Sequence, residues 1–97
     1  MLAVTEVATI AIEEMLATRR MPFEAGVRLT TGPDPNEDPD RGPAVVMDLA
    51  PAPREGDAVL LEAPVFVEAD AAPALAEKLL DADVTTERVQ FTLRERA

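Results

Sequence analysis

Residues 32–43 form a continuous segment in which neither a helix nor a strand can continue. The segment holds four prolines, two glycines and five acidic or amide side chains. Proline lacks the backbone N–H that a helix interior or an inner strand requires, and clusters of Pro, Gly, Asp and Asn are typical of loops. We therefore predict an acidic, proline-rich loop here, with the regular structure of the chain on either side of it.

The residues before this loop predict one helix and one strand. Apolar side chains recur at helical spacing over residues 5–19, and Thr5 is suited to cap the helix at its N-terminus. Pro22 follows as a stop signal. Residues 26–31 then alternate between apolar and polar side chains, which predicts a strand. Residues 1–4 are interpreted as a short apolar lead.

The residues after the loop predict short strands and a second helix. The helix is expected over residues 71–80 with Asp70 as its N-cap, and residues 81–84 lead from it toward a short strand. The other strands are expected at residues 44–49, 58–61, 65–67 and 88–93.

The last of these strands alternates cleanly, with Val89, Phe91 and Leu93 on one face, which indicates one buried face. The resulting order is α-β-β-β-β-α-β-β. This order predicts an α+β fold of two helices and short, mostly antiparallel strands in a sandwich-like arrangement. Residues 1–97 are interpreted as a single domain.

The residue types that are missing exclude several kinds of chemistry. The sequence has no Cys, His, Ser, Trp or Tyr. Nucleophilic Cys and Ser, histidine acid–base relays, thiolate or imidazole zinc sites and thiolate-held iron–sulfur clusters are therefore excluded. We predict that the protein is not an enzyme and carries no cofactor.

The charge of the chain excludes two classes of partner. A formal net charge of −10 repels nucleic acid and anionic membranes, which bind proteins through Lys and Arg. No apolar run approaches the ~20 residues that span a bilayer, and the first residues do not resemble a signal peptide. We expect a cytoplasmic protein, and the abundance of Ala and of Arg over Lys is typical of GC-rich bacteria.

Five segments resemble the motifs of one known family, in the same order and over nearly the whole chain. In chain order they are residues 2–12, similar to "L-x-L-T-x-x-A-x-x-x-I"; 26–29, similar to "G-L-R-I"; 56–57 with 65–68, similar to "D-x-V…V-x-V-D"; 71–84, similar to a helix ending in "L-x-G-x-x-I-D"; and 89–93, similar to "G-F-x-F". The chain thus resembles the HesB/IscA family, the A-type carriers of iron–sulfur cluster assembly.

The resemblance implies a HesB-like fold, iron–sulfur assembly proteins as partners, and dimerisation, which is common in the family. Three cysteines carry the family's chemistry, one in a "G-C-S-G" loop after the first strand and two in a C-terminal "C-G-C". Here residues 31–34 read Thr-Gly-Pro-Asp, and no cysteine follows Leu93. We therefore predict a variant that has lost its cluster ligands and acts as a non-catalytic, protein-binding accessory module.

Two metal-binding alternatives remain open. In the first, carboxylates bind iron or a cluster, although hard oxygen ligands suit Fe(III) better than a sulfide cluster. In the second, the acidic loop binds Ca²⁺ or Mg²⁺ weakly. Its oxygen ligands alternate as the first four ligands of an EF-hand loop do: Asp34, Asn36, Asp38 and Asp40. Pro39 stands where that loop needs Gly, and Val45 where it needs Glu.

Two further groups of charged residues have a structural and a functional interpretation. Asp81 and Asp83 lie two residues apart, and they are candidates either for an acid–base pair or for turn and capping residues. Arg19, Arg20 and Arg28 are candidates for an anion site or for surface ion pairs. In both cases we predict the structural role, because no nucleophile or metal ligand accompanies these residues.

Overall fold

Two β-sheets and two helices make up the part of the chain that the computed structural model describes, residues 2–32, 44–60 and 62–95. The elements are β1 (Ala3–Val4), α1 (Glu6–Thr18), β2 (Gly26–Gly32), β3 (Ala44–Ala50), β4 (Ala58–Val59), β5 (Val65–Val67), α2 (Ala72–Leu75), β6 (Lys78–Val84) and β7 (Val89–Glu95). The predicted α+β fold class is confirmed.

The larger sheet has the strand order β3-β2-β5-β4. Strands β2 and β3 form an antiparallel pair that runs from Gly26 opposite Ala50 to Gly32 opposite Ala44. Strand β5 lies parallel to β2 and antiparallel to β4. The smaller sheet has the order β1-β6-β7, in which β6 and β7 are antiparallel and β1 lies parallel to β6.

The core lies between the sheets and helix α1 and is entirely aliphatic at its centre. Ile12 of α1, Leu29 of β2 and Leu75 of α2 are among the largest fully buried side chains. Full burial of such a side chain contributes about 1.5–3 kcal/mol. These contacts hold the helices against the two sheets and fix the position of every strand that borders the site described below.

Helix α1 forms as its local sequence predicts. The hydroxyl oxygen of Thr5 accepts a hydrogen bond from the backbone N–H of Ala8 at 3.1 Å, which is the expected N-cap. The helix ends at Thr18, and Arg20 beyond it has a positive φ of 52°. The predicted range of 5–19 is therefore confirmed to within one residue at each end.

The second predicted helix is wrong beyond residue 75. Helix α2 is a single turn without a side-chain cap, so Asp70 does not cap it, and residues 78–84 form strand β6 instead. Strand β6 lies between β1 and β7, and its Leu80 and Ala82 are buried at strand spacing. Pairing on both edges and burial with a period of two override the helical propensity of this leucine-rich stretch.

Two further elements differ from the prediction. The apolar lead is a strand, because Ala3 and Val4 pair with Leu79 and Leu80 of β6. Strand β4 ends at Val59 rather than at residue 61, which lies outside the described residues.

The face of β7 that was expected to be buried is only partly covered. Val89 is 36% exposed, and Phe91 and Leu93 are half-buried. This side of β7 borders an open groove, which is why its alternation does not correspond to a closed core.

Candidate functional site

An open apolar groove lies between the two sheets and has a volume of about 640 Å³. This size falls within the ~300–1,000 Å³ range of small-ligand sites. Apart from Thr92, every lining side chain is apolar: Leu29, Val45, Met47, Leu80, Phe91 and Leu93. The groove thus offers contact area and no charged side chain among its lining residues.

Residues 31–34, the segment that resembles the family's first cysteine loop, begin at the end of strand β2 near this groove, and residues 33 and 34 lie outside the described residues. Thr31 lies opposite Val45 of the groove wall, and Gly32 lies opposite Ala44. Thr31 and Gly32 are partly buried. The described part of this segment, Thr31 and Gly32, therefore presents a hydroxyl and backbone groups and no soft ligand for iron.

Three charged residues of the quoted motifs meet on the larger sheet. The Arg28 guanidinium donates to both carboxylate oxygens of Asp57, from Nε to Oδ2 at 2.9 Å and from Nη2 to Oδ1 at 3.1 Å. Arg28 Nη1 lies 3.7 Å from Oε2 of Glu68. The Arg54 backbone N–H also donates to Asp57 at 2.9 Å. These contacts join β2 to the turn before β4 and to the end of β5.

The electrostatics of this cluster are those of a structural ion pair. The Asp57 side chain is only 1% exposed and that of Arg28 is 14% exposed. The hydrogen bonds from Arg28 hold the pKa of Asp57 below its usual value, and the same bonds raise the pKa of Arg28. The structural interpretation of Arg28 is thus supported, since its guanidinium is occupied by two acidic partners.

Asp81 connects helix α1 to the smaller sheet. Its Oδ1 accepts hydrogen bonds from the Thr5 hydroxyl and from the Ala82 backbone N–H, both at 2.8 Å. Arg94 Nη2 lies 3.5 Å from Oδ2. Three interactions lower the pKa of Asp81. The hydrogen bond from the Thr5 hydroxyl has the largest effect, and the hydrogen bond from the Ala82 N–H and the charge of Arg94 add to it. Asp83 is exposed, so the two acids do not share one environment.

Sequence reasoning did not find the contact between Thr5 and Asp81, which lie 76 positions apart. The neighbouring sequence predicts Thr5 as an N-cap and Asp81 as a turn or capping residue. It contains nothing that predicts a contact between the two. Only the parallel pairing of β1 with β6 brings the start of α1 to this acid.

The predicted metal-binding residues Asp34, Asn36, Asp38 and Asp40 lie outside the described residues. Within residues 2–32, 44–60 and 62–95, no three acidic, His or Cys side chains are close enough to hold a metal ion. None of the helices in this part of the chain has the length and apolar character needed to cross a bilayer.

Comparison with known proteins shows a likeness of fold. No protein-family model and no curated protein matches the chain. SufA of Escherichia coli, a protein involved in the biosynthesis of iron–sulfur clusters, matches with a TM-score of 0.74 and 24% identity, over 99% of this chain and 87% of SufA. The structure of IscA with a [2Fe-2S] cluster matches with a TM-score of 0.77 and 20% identity, over 98% of this chain and 85% of IscA.

These likenesses confirm the predicted HesB/IscA-like fold. They also allow a test of whether the residues present fit a cluster such as the one in IscA. Iron–sulfur clusters are held by thiolates, with imidazoles in some centres. The 97 residues contain neither Cys nor His, and residues 31–34, which resemble the family's first cysteine loop, read Thr-Gly-Pro-Asp. The donor set of this chain does not fit a cluster.

Proposed function

We propose that this chain is a non-catalytic, protein-binding accessory module of iron–sulfur cluster assembly that carries no cluster itself. One observation carries the proposal. The fold of SufA and IscA is retained over at least 98% of the chain, whereas the donor atoms that hold a cluster are missing from its sequence. We therefore expect a protein that has this fold without cluster-binding residues to act through contacts on its surface.

The positions of the motif residues support this proposal. Arg28 belongs to one of the quoted motifs and Asp57 and Glu68 to another, and Arg28 contacts both acids. Thr5 and Asp81 belong to two others and connect α1 to β6. These residues of the motif segments therefore stabilise the packing of the strands and of α1. We expect a protein that acts through its surface to keep them, because they maintain its fold.

The surface supports a protein partner. The groove between the sheets leaves Val45, Met47, Phe91 and Leu93 partly exposed, although they pack against the core. Open apolar concavities of this kind are typical of interaction sites. A cytoplasmic bacterial protein is the setting in which we propose this function, with iron–sulfur assembly proteins as partners because SufA has that role.

The first alternative function is iron binding by carboxylates. Among the ion-paired acids of the described residues, the two least exposed, Asp57 and Asp81, are each paired with an arginine. Neither is therefore available as a ligand without breaking an ion pair. Titration with ferric citrate followed by gel filtration and iron analysis distinguishes this alternative, since the proposal expects sub-stoichiometric iron.

The second alternative is Ca²⁺ or Mg²⁺ binding by Asp34, Asn36, Asp38 and Asp40. Their alternation favours it, whereas Pro39 and Val45 depart from the EF-hand pattern. Calorimetric titration decides the question: the absence of heat at millimolar calcium excludes this alternative.

Affinity capture from the native host tests the proposed function. The tagged protein is compared with an unrelated acidic protein of similar size and charge, so that non-specific electrostatic binding is removed. We expect iron–sulfur assembly proteins to be enriched over this control, and the enriched protein to bind the purified chain in the presence of an iron chelator. Enrichment no greater than that of the control, or binding that requires iron and sulfide, would overturn the proposal.

A further inference from the structure

We infer that the turn between α1 and β2, residues 19–24, is a docking site for a partner protein and that Phe23 is its anchor. The partner has an apolar pocket for this ring, with aspartate or glutamate on the side of the pocket that meets Arg19 and Arg20. The inference rests on the proposed protein-binding function and names a surface that performs it. None of residues 19–24 lines the groove between the sheets.

Phe23 is the most exposed large apolar side chain in the described part of the chain. Its relative exposure is 104%, against 54% for Val84, which has the next highest value. Of the other two phenylalanines, Phe66 is buried and Phe91 is half-buried. Aromatic side chains contribute strongly to interfaces because they bury a large apolar area. A fully exposed ring therefore gains the most from entering a partner's pocket.

The turn that carries Phe23 is short and is anchored in the core. The Ala25 N–H donates a hydrogen bond to the Pro22 carbonyl oxygen at 3.0 Å, which closes a four-residue turn with Phe23 at its second position. Ala25 is buried, and strand β2 follows it with the fully buried Val27. The backbone at Phe23 is therefore ordered before a partner binds, which reduces the entropy lost on binding.

The end of α1 carries an arginine where the backbone favours glycine. The Arg20 N–H donates to the Ala17 carbonyl oxygen at 3.1 Å. The Met21 N–H donates to the Leu16 carbonyl oxygen at 3.0 Å, and the two bonds form the Schellman pattern of a helix end. This pattern places residue 20 in the left-handed region, with a φ of 52°, where a Cβ atom is unfavourable. An arginine in this conformation points to a role for its side chain outside the fold.

Arg19 and Arg20 carry the positive charge of this surface. They are the only two adjacent basic residues in the sequence, and both are exposed. Although the chain has 19 acidic residues, neither arginine forms a salt bridge with an acid among the described residues. The surface ion pairs expected for them are therefore not found in this part of the chain. Within it, both guanidinium groups can meet the carboxylates of a partner.

These side chains define the chemistry of the partner. Interfaces are enriched in aromatic residues, methionine and arginine, and their strongest contacts are aromatic or arginine side chains seated in pockets. The Phe23 ring requires an apolar pocket, and Arg19 and Arg20 favour carboxylates, which arginine binds through two parallel hydrogen bonds. Glu24 is exposed on the other side of Phe23 in the sequence, so the pocket is acidic on the arginine side only. An anionic membrane has no such one-sided rim, and it repels a chain with a net charge of −10.

Site-specific photo-crosslinking in the native host tests the inference. The photoreactive residue p-benzoylphenylalanine replaces Phe23 in one version of the chain, and in the control version it replaces Val59, which is 49% exposed on β4. We expect a crosslinked protein from position 23 that position 59 does not give, with apolar residues and Asp or Glu at the crosslinked site. No crosslink from position 23, or a crosslink to lipid or to a site without acidic residues, would overturn the inference.

Binding of the purified crosslinked partner to variants measures the contribution of the ring. Phe23→Ala removes the ring without removing a core contact, because the ring is fully exposed. Fluorescence anisotropy should show a loss of affinity of at least about tenfold for Phe23→Ala and a smaller loss for Phe23→Leu, which keeps an apolar side chain. Val59→Ala is the surface control and should bind within about twofold of the wild type. Equal affinity of Phe23→Ala and the wild type would contradict the inference.

Arg20→Gly separates docking from folding. Glycine adopts the left-handed conformation of residue 20 without strain, so the Tm of this variant should be no lower than that of the wild type. Its affinity for the partner should nevertheless fall by at least about threefold, and wild-type binding should weaken as salt is raised. Unchanged affinity of Arg20→Gly, together with binding that is independent of salt, would overturn the acidic pocket assigned to the partner.

These experiments also distinguish the inference from the proposed function. If affinity capture yields iron–sulfur assembly proteins and Phe23→Ala binds them as tightly as the wild type, the turn is not the docking site and the proposed function stands. If position 23 crosslinks to an apolar, acidic site on a protein that has no part in iron–sulfur assembly, the docking site stands and the proposed function fails.

Discussion

Arg28 and Asp57 show at the scale of single residues what two of the quoted motif segments do in this chain. Two hydrogen bonds connect the guanidinium to the carboxylate, and both side chains are largely removed from solvent. A buried charge is tolerated only when it is paired, so each residue requires the other. The ion pair therefore accounts for Arg28 and Asp57 in these segments without a bound ligand.

Asp57→Asn should destabilise the protein at neutral pH, because it leaves the Arg28 charge without its closest partner. We expect a loss of about 1–3 kcal/mol, measured by urea unfolding at pH 7. The folded protein holds the pKa of Asp57 below its unfolded value. The stabilisation is therefore fully present above the unfolded pKa, about 4, and is lost as pH falls through the folded value.

The difference between the wild type and Asp57→Asn should consequently narrow as the pH is lowered below about 4. Urea unfolding at a series of acidic pH values measures this difference. A difference that stays constant over this range would show that the carboxylate charge of Asp57 does not stabilise the fold.

Gly26 lies at a close approach between β2 and the segment before β5. A Cβ atom at this position would lie 2.5 Å from the Pro64 carbonyl oxygen and 2.8 Å from Cζ of Phe66. The Pro64 oxygen also accepts a hydrogen bond from the Val27 N–H at 2.8 Å, so it cannot move without cost.

Gly26→Ala is therefore expected to destabilise the fold by about 1–3 kcal/mol, as overpacking does. Gly32→Ala is the matched control, because among the described residues its new Cβ would meet nothing closer than Val46 Cγ2 at 3.4 Å. Thermal unfolding should show a clear decrease in Tm for Gly26→Ala and a much smaller change for Gly32→Ala. Equal decreases would show that the close approach at residue 26 has no energetic consequence.

At the scale of elements, the sequence predicts what local interactions determine. Helix α1 follows from its cap and its apolar spacing, β2 follows from its alternation, and β3 follows from the apolar run after the loop. Strand β6 could not be predicted in this way. Its pairing with β1 joins residues about 76 positions apart, as in the pair of Ala3 with Leu79, and this long-range pairing decides its conformation.

The candidate site shows the same division between local and long-range information. The absence of thiol and imidazole ligands is read directly from the sequence. The groove is not, because its walls come from β2 and β3 on one side and β6 and β7 on the other. Alternation in β7 indicated an apolar face, but only the packing of the two sheets shows that this face is half open.

Leu79 and Leu80 distinguish the strand from the predicted helix by mutation. In a helix both would belong to the apolar stripe and truncation of either would be costly. In strand β6 Leu80 is 2% exposed, whereas Leu79 is only partly buried on the opposite face. We expect Leu80→Ala to cost about 2–4 kcal/mol and Leu79→Ala less than half as much, measured by urea unfolding. Equal costs would favour the helix.

At the scale of the whole molecule, the chain combines the fold of SufA and IscA with a 97-residue sequence that contains neither Cys nor His. TM-scores of 0.74 and 0.77 are reached although no more than 24% of the residues are identical. The shared feature is the fold, and in this chain the fold is held by an apolar core and by ion pairs such as Arg28–Asp57. A fold does not fix a function, since chemistry depends on particular side chains.

Anaerobic reconstitution with ferrous iron and sulfide tests this central claim most directly. The purified chain and IscA, which is known to hold a [2Fe-2S] cluster, are treated in parallel, desalted, and analysed for visible absorption, iron and sulfide. We predict that IscA becomes coloured and that this chain shows no visible bands and only sub-stoichiometric iron. A brown protein that retains stoichiometric iron and sulfide after gel filtration would contradict the account.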